Sequence, residues 1–181
     1  MLQMNLAQYL KIGIEAAENA SDFIKTQTKE IIKIDFKGVS DLVTNADIKS
    51  EEIIVDKIKK NFPSHKFLTE ESGFIFDNSD FCWVIDPIDG TTNFLHGVPH
   101  FAISIALKSN NEIISGLIYD PIKDEMFFAE KNNGAFFNNH RIRVSNKNKI
   151  NDCLFAVGGN LKEKVNFHNR KFGCAALDMA Y

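Results

Sequence analysis

Two carboxylates follow a short apolar segment near the middle of the 181-residue chain. Asp86 and Asp89 come after residues 81–85, whose sequence FCWVI is typical of a buried β-strand. Pro87 stiffens the exit from this strand, and Gly90 permits a close approach of the backbone. Because the two acids are three residues apart at the end of a strand, their carboxylates can converge. Converging carboxylates favour a bound cation.

A second group of acids lies upstream, at Glu70 and Glu71. It follows another predicted strand, residues 66–69, and comes just before Gly73. Glu70 is therefore a candidate ligand in the same site, and Glu71 is a candidate for supporting it. Every candidate ligand atom is an oxygen, with no His or Cys in between, which favours Mg²⁺ or Mn²⁺ over Zn²⁺. The expected substrate of such a site is a phosphate ester.

Each of these acids also has an ordinary structural interpretation. Asp86 and Asp89 could belong to a plain Asp-Pro turn, and Glu71 could be a turn residue. Asp47 stands where a capping box requires an acid, so it could serve only to begin a helix. The Gly-Thr-Thr sequence after Asp89 favours the functional interpretation for the first pair.

The hydrophobic pattern places these acids in an α+β fold. Apolar residues recur about once per helical turn over residues 2–24, which predicts a long amphipathic helix. A second helix begins at residues 44–47, buries a face that includes Ile48, and stops at Pro63. Short strands are predicted at residues 66–69, 81–85, 101–107, 112–119, 125–130 and 135–138, the last four as an antiparallel meander. Two helices are thus expected before any sheet, and residues 173–181 resemble the start of a further helix.

The composition argues against several classes of protein. Lys and Arg number 21 against 24 Asp and Glu, a net charge of −3, so a dedicated binder of nucleic acid or anionic membranes is not expected. No segment approaches the roughly eighteen consecutive apolar residues of a membrane span, and the N-terminus lacks the pattern of a signal peptide. The 3 cysteines are odd in number and far apart, unlike a disulfide framework or a zinc cluster. A cytoplasmic protein is expected.

Residues 70–72 (EES) followed by residues 83–94 (WVIDPIDGTTNF) resemble the signature of the inositol monophosphatase family. The similarity continues at residues 41–47 and 173–178, so that it extends over essentially the whole chain. It implies one domain over residues 1–181 with a sugar-phosphatase-like, layered αβαβα fold. In that fold two N-terminal helices pack on a large, mainly antiparallel sheet.

The same resemblance implies a role for each residue of the site. Magnesium, as two or three ions with Mn²⁺ as an alternative, would be held by Glu70, Asp86, Asp89 and the carbonyl of Ile88. The attacking water would be oriented by Thr91 and Asp47, with Glu70 also counted as catalytic. The phosphate would meet the backbone N–H groups of Gly90, Thr91 and Thr92, and the alcohol would meet Gly173 and Cys174. The site would be supported by Glu71 and by Lys37, which would lie on a loop that closes over the metals.

The implied activity is Mg²⁺-dependent hydrolysis of inositol monophosphate, or of a similar small polyol or sugar phosphate, by metal-activated water. The products would be the free alcohol and phosphate, and a homodimer is the expected assembly. Family members run on into a Trp-Asp motif whose aspartate ligates the second metal, and this sequence has no such motif. The C-terminal α/β part, which begins near residue 150, is therefore expected to be cut off at residue 181.

Three alternatives stay open. A relative that acts on sugar bisphosphates or phosphoadenosine nucleotides would carry the same acids. A truncated, catalytically impaired member would act as a binding module in RNA maturation or transcription. A product of a split gene would not fold stably alone.

Overall fold

The computed structural model describes residues 2–27, 34–36, 42–75, 79–158 and 167–181. The helices in this part of the chain are α1 (Leu2–Gln27), α2 (Asn45–Asn61), α3 (Thr91–Leu95) and α4 (Ala175–Ala180). The strands are β1 (Ile34–Phe36), β2 (Leu42–Thr44), β3 (Lys66–Thr69), β4 (Gly73–Ile75), β5 (Phe81–Asp89), β6 (Ala102–Ser109), β7 (Glu112–Asp120), β8 (Glu125–Glu130), β9 (Gly134–Phe137), β10 (His140–Ile142), β11 (Leu154–Ala156) and β12 (His168–Arg170). A 3₁₀ turn spans Ile150–Asp152.

Eight of these strands form one large sheet in the order β10-β9-β8-β7-β6-β5-β3-β4. Neighbouring strands in it pair antiparallel, except that β3 and β5 run parallel. Strands β6 to β9 form the predicted antiparallel meander. Their turns use Asn residues at positive φ, such as Asn110 at 47° and Asn132 at 65°, a conformation that Asn tolerates better than most residues. The predicted fold class, α+β with a mainly antiparallel sheet, is confirmed.

Helices α1 and α2 cover one face of this sheet. Side chains alternate between the two faces of a strand, so every second residue of the central strands points to the helices. The buried strand residues on this side include Phe67, Trp83, Ile85, Ile105, Leu107 and Leu117. From α1 the core receives Ala16, Ala17, Ala20 and Ile24, each fully buried. The small alanines allow α1 to lie close to α2 and to the sheet. The long amphipathic helix predicted from the spacing of its apolar residues is confirmed.

Two details of the predicted fold are wrong. Strands β1 and β2 form a small antiparallel sheet between the two helices, where no sheet was expected. These strands have three residues each, too few for an alternating pattern to be distinguished from a loop. In α2, Ile48 is 43% exposed, whereas the buried face includes Asp47, Ser50 and Glu51. The first turns of α2 therefore bury polar side chains instead of the expected apolar ones.

The opposite face of the sheet is covered in part by α4. Cys174, Ala176 and Leu177 are buried there against Ala102, so the expected helix of small residues is confirmed. Beside it, an apolar groove of about 560 Å³ runs over the strands between Ile118 and Phe136 and ends at the exposed residues of α4. Among the described helices, none has the length and apolar character needed to cross a membrane.

Candidate metal and phosphate site

The parallel pairing of β3 and β5 brings together the two acid-bearing segments that were noted in the sequence. Thr69, the last residue of β3, pairs with Ile85 of β5. Glu70 and Asp86 are the residues that follow this pair. Because the two strands run in the same direction, the two acids lie side by side although 16 positions separate them in the sequence.

A β-bulge in β5 brings Asp89 to the same side as Asp86. Asp86 pairs with Ser104 of β6, but the next pairing joins Asp89 to Ala102. Between these two pairs β5 advances by three residues and β6 by two. Residues three apart in a regular strand point to opposite faces, and the extra residue cancels this inversion. Pro87, which has no N–H to donate to a partner strand, fits this irregular stretch.

The charges of Glu70 and Asp89 both act on Asp86. Burial, the charge of Glu70 and the charge of Asp89 together raise the pKa of Asp86 to about 8. Its Oδ1 atom is buried and has no hydrogen-bond partner among the described residues. A divalent cation would offset both costs, and these oxygen donors are the type that Mg²⁺ prefers. The residues therefore fit a hard cation.

The side chains would have to move to bind a cation together. In the described part of the chain, no three His, Cys, Asp or Glu side chains are close enough to one another to coordinate one metal ion in their present positions. Glu70 is exposed, so its side chain has room to turn toward the other two acids.

Asp89 is held from the other side by the segment that begins α4. Its Oδ2 atom accepts a hydrogen bond from the backbone N–H of Ala176 (2.5 Å) and another from the thiol of Cys174 (3.1 Å). Cys174 is 1% exposed, and burial is the main cause of its raised thiol pKa. The thiol therefore stays protonated and acts as a donor to the carboxylate. The predicted contact of Cys174 with the alcohol stays a prediction.

Thr91 lies between the metal-ligand candidates and α2. Its hydroxyl is 3.0 Å from the carbonyl oxygen of Ile88 and 3.4 Å from Oδ1 of Asp47. The hydroxyl has one proton, so it can donate a full hydrogen bond to only one of these two acceptors. Its lone pairs stay available to accept a hydrogen bond from a further donor. Asp47 is 1% exposed although it is an acid, which places it inside the site rather than only at a helix end. The structure thus brings together the pair predicted to orient water.

The turn after β5 is tightly packed. Gly90 has φ 93°, and a Cβ atom there would come within 3.2 Å of Cys174 Cβ, of the Gly173 carbonyl oxygen and of the His100 carbonyl oxygen. Asn93, which was noted only as part of the motif, donates from Nδ2 to the carbonyl oxygens of His100 (2.7 Å) and Phe172 (2.8 Å). These contacts fix the turn from which the backbone N–H groups of α3 begin.

The remaining predicted residues fall around this centre. Thr92 and Gly173 are exposed next to it, and Gly173 has φ 84°. Glu71 is half-buried beside Glu70. Lys37 lies outside the described residues.

One buried acid of the site was missed in the sequence. Glu51, on α2, is 3% exposed, and its carboxylate accepts hydrogen bonds from the backbone N–H groups of Glu71 (2.8 Å) and Ser72 (3.0 Å). The available signal was helical spacing, since Asp47, Glu51, Ile54 and Ile58 recur on one face of α2.

The chain is similar to proteins of known family. The family model described as "Inositol monophosphatase family" matches residues 5–180. The Nus factor SuhB of Pasteurella multocida is 38% identical over 190 residues, which cover 95% of this chain and 71% of that protein. The inositol-1-monophosphatase of Mesorhizobium japonicum is 38% identical over 192 residues, covering 95% and 71%. The crystal structure of the extragenic suppressor protein suhB of Bartonella henselae superposes with a TM-score of 0.90 at 40% identity, covering 95% of this chain and 73% of that one.

Proposed function

Since the chain belongs to the inositol monophosphatase family, we propose that it is a Mg²⁺-dependent phosphomonoesterase. Its proposed substrate is inositol monophosphate or a similar small polyol or sugar phosphate, which is hydrolysed to the alcohol and phosphate. One observation carries this proposal. The parallel strands β3 and β5 deliver Glu70 and Asp86 side by side, and the bulge adds Asp89 to them.

The proposed ligands of magnesium are Glu70, Asp86, the Ile88 carbonyl and Asp89. When bound, the metal would lower the pKa of a water molecule and offset the negative charge of the phosphoryl oxygens. We propose two or three ions, with Mn²⁺ as a substitute. The orphaned oxygen of Asp86 supports this assignment because it is a buried acceptor that lacks a donor within the described residues.

The chain's own residues would position water and phosphate. Thr91 would donate a hydrogen bond to Asp47 and accept a hydrogen bond from the attacking water. This would orient a lone pair of the water toward phosphorus. The phosphate would be received by the backbone N–H groups of Gly90, Thr91 and Thr92, because the first N–H groups of a helix have no carbonyl partner inside it. Gly173 and Cys174 would border the alcohol, with Glu71 and Lys37 as support. A homodimeric, cytoplasmic enzyme belongs to the same proposal.

The test is phosphate release from inositol 1-phosphate by the purified 181-residue chain, with and without Mg²⁺. The proposal expects turnover that depends on Mg²⁺ and is lost in Asp89→Asn. The matched control is Asp80→Asn, since Asp80 is an exposed acid outside the site. No turnover by a chain that melts cooperatively, or equal turnover by the Asp89 variant, would contradict the proposal.

A second candidate function rests on the relatives named Nus factor SuhB. In this alternative the chain is a binding module in transcription or RNA maturation, and its acids are not needed for catalysis. Binding to RNA or to RNA polymerase that needs no Mg²⁺ and survives Glu70→Gln would favour it. The net charge of −3 argues against direct, non-specific binding of nucleic acid.

A further inference from the structure

Glu51 connects α2 to the turn that presents Glu70. That turn consists of residues 70–72, between Thr69 and Gly73, which pair with each other at the end of the β3–β4 hairpin. The backbone N–H groups of Glu71 and Ser72 both point at the carboxylate of Glu51, one at each oxygen. Two charge-assisted hydrogen bonds to a rigid helix define the orientation of a three-residue turn.

The burial of Glu51 shows that these bonds are more than a surface contact. At 3% exposure its carboxylate has given up most of its water, and an ionised acid in that position requires donors in return. Among the described residues, two backbone groups donate to it, from residues 20 and 21 positions later in the chain. A helix with an apolar residue here would leave the two N–H groups of the turn without this acceptor.

The turn needs a tether because the acid that it carries has little packing of its own. Glu70 directly follows Thr69, the last residue of β3, and stands next to Asp86 of β5. Glu70 itself is exposed, so packing does little to hold it there. One turn before Glu51 on the same helix, Asp47 reaches Thr91 in the segment after β5. Helix α2 therefore contacts both acid-bearing segments through two carboxylates four residues apart.

We propose that Glu51 is a positioning residue that fixes the turn carrying Glu70 and so sets the place of the Glu70 carboxylate beside Asp86. This inference rests on the proposed function, in which Glu70 is a metal ligand. Glu51 does not touch the metal or the substrate, and it acts through the backbone of the turn. Residues of this kind that orient a metal ligand typically change metal affinity about ten- to a hundredfold when they are replaced.

The experiment compares Glu51→Gln with Glu52→Gln in the full chain. Gln keeps the length of the side chain but offers one acceptor and a competing N–H donor to the two N–H groups of the turn. Glu52 is the matched control, because it is the next residue on α2, its side chain is 57% exposed, and it pairs with Lys49 instead. A thermal melt of each metal-free variant checks folding, and Glu51→Asp, which keeps the charge but is one methylene shorter, serves as a second variant.

Two readouts test two parts of the inference. Amide hydrogen exchange of Glu71 and Ser72, measured by NMR without metal, reports the tether directly. Titration with Mn²⁺, followed by its electron paramagnetic resonance signal, reports the metal site without requiring turnover. We expect Glu51→Gln to speed exchange at these two amides and to weaken Mn²⁺ binding about tenfold or more, and Glu52→Gln to change neither. The Mg²⁺ concentration for half-maximal turnover should rise in the same variant, with the KM for the phosphate ester unchanged.

Unchanged exchange in both Glu51 variants would overturn the tether. Faster exchange with unchanged Mn²⁺ affinity would overturn the positioning role, because the turn would then be ordered for stability alone. If the wild-type chain bound no Mn²⁺, the proposed function would fail, and the exchange result alone would still decide whether Glu51 holds the turn.

Discussion

At Asp86, burial and the charges of Glu70 and Asp89 act in one direction. All three disfavour the ionised form, and the pKa rises to about 8. Its Oδ1 atom lacks a donor within the described residues, so ionisation also leaves a buried acceptor unsatisfied. An acid in this position weakens the metal-free fold. Such a cost at a single residue is typical of functional sites, where stability and binding compete.

Replacing Asp86 by Asn should therefore stabilise the metal-free chain at pH 8. The amide removes one of three adjacent charges, and we expect a gain of about 2 kcal/mol, or about 4–8 °C in melting temperature. Added Mg²⁺ should raise the melting temperature of the wild type and leave Asp86→Asn unchanged. Differential scanning calorimetry measures both effects, with the exposed Asp80→Asn as control. A variant that is less stable without metal, or that Mg²⁺ still stabilises, would contradict this account of Asp86.

The thiol of Cys174 gives a second prediction at the residue scale. It donates to Asp89, so Cys174→Ser, which keeps a donor of similar size, should retain most of the Mg²⁺-dependent turnover. Cys174→Ala removes one of the two donors that the described residues give to Asp89 and keeps the Ala176 N–H, and we expect turnover to fall about tenfold. Steady-state kinetics over a range of Mg²⁺ concentrations makes the comparison. Equal losses in the Ser and Ala variants would mean that the packing of the thiol matters and its hydrogen bond does not.

At the scale of elements, local patterns predicted what is local. The long helix α1, strand β3 and the meander follow from periodicities of 3.6 and 2 residues within one segment. The acids at the ends of β3 and β5 were found in the same way, since each follows its own apolar run. The small β1–β2 sheet was too short to show such a pattern.

The arrangements that assemble the site are non-local, and the sequence pattern does not contain them. The parallel pairing of β3 with β5 and the bulge before Asp89 depend on which strands meet. The partners of Glu51 are 20 and 21 residues away in the sequence. From the sequence alone, an acid at this position of α2 would therefore be predicted to be exposed to solvent. Ile48 is predicted on the buried face because apolar side chains usually are buried, but the structure exposes it and buries Asp47 and Glu51.

The junction of α2 and β5 contains an aromatic cluster that gives a pH-dependent prediction. His65 lies between the rings of Phe62 and Phe81, each 4.9 Å away between centroids. Its Nδ1 accepts a hydrogen bond from Trp83 Nε1 at 3.0 Å, so the neutral imidazole fits the cluster. Burial lowers the pKa of His65 below its ordinary value.

Because the folded chain disfavours protonated His65, the unfolded chain binds more protons as the pH falls below about 6.5. His65 should therefore contribute a decrease in the free energy of unfolding from pH 7.5 to pH 5.5, whereas Asp86, whose pKa is raised to about 8, contributes an increase over the same interval. Urea denaturation at the two pH values isolates the part due to His65. The free energy of unfolding at pH 5.5, relative to that at pH 7.5, should be higher in His65→Gln, which still offers Trp83 an acceptor, than in the wild type. The exposed His140→Gln should behave like the wild type. An equal change in all three proteins would show that His65 does not contribute to the pH dependence.

At the scale of the whole molecule, the site joins distant parts of the chain. Asp47 comes from α2, Glu70 from the turn after β3, Asp89 from the end of β5, and Ala176 from α4. The helices lie on both faces of the sheet, and the acids stand at the edge where β3 and β5 end. A cation bound among them would link elements on both sides, so binding and the stability of the whole fold should be coupled.

The most direct test of the central claim, that Glu70, Asp86 and Asp89 hold a divalent cation, is isothermal titration of Mn²⁺ into the metal-free chain. We predict saturable binding by the wild type and at least about tenfold weaker binding by Glu70→Gln. Glu112→Gln, which replaces an acid with a 60% exposed side chain paired with Lys131, should bind like the wild type. A folded wild type without saturable binding, or a Glu70 variant with unchanged affinity, would contradict the claim.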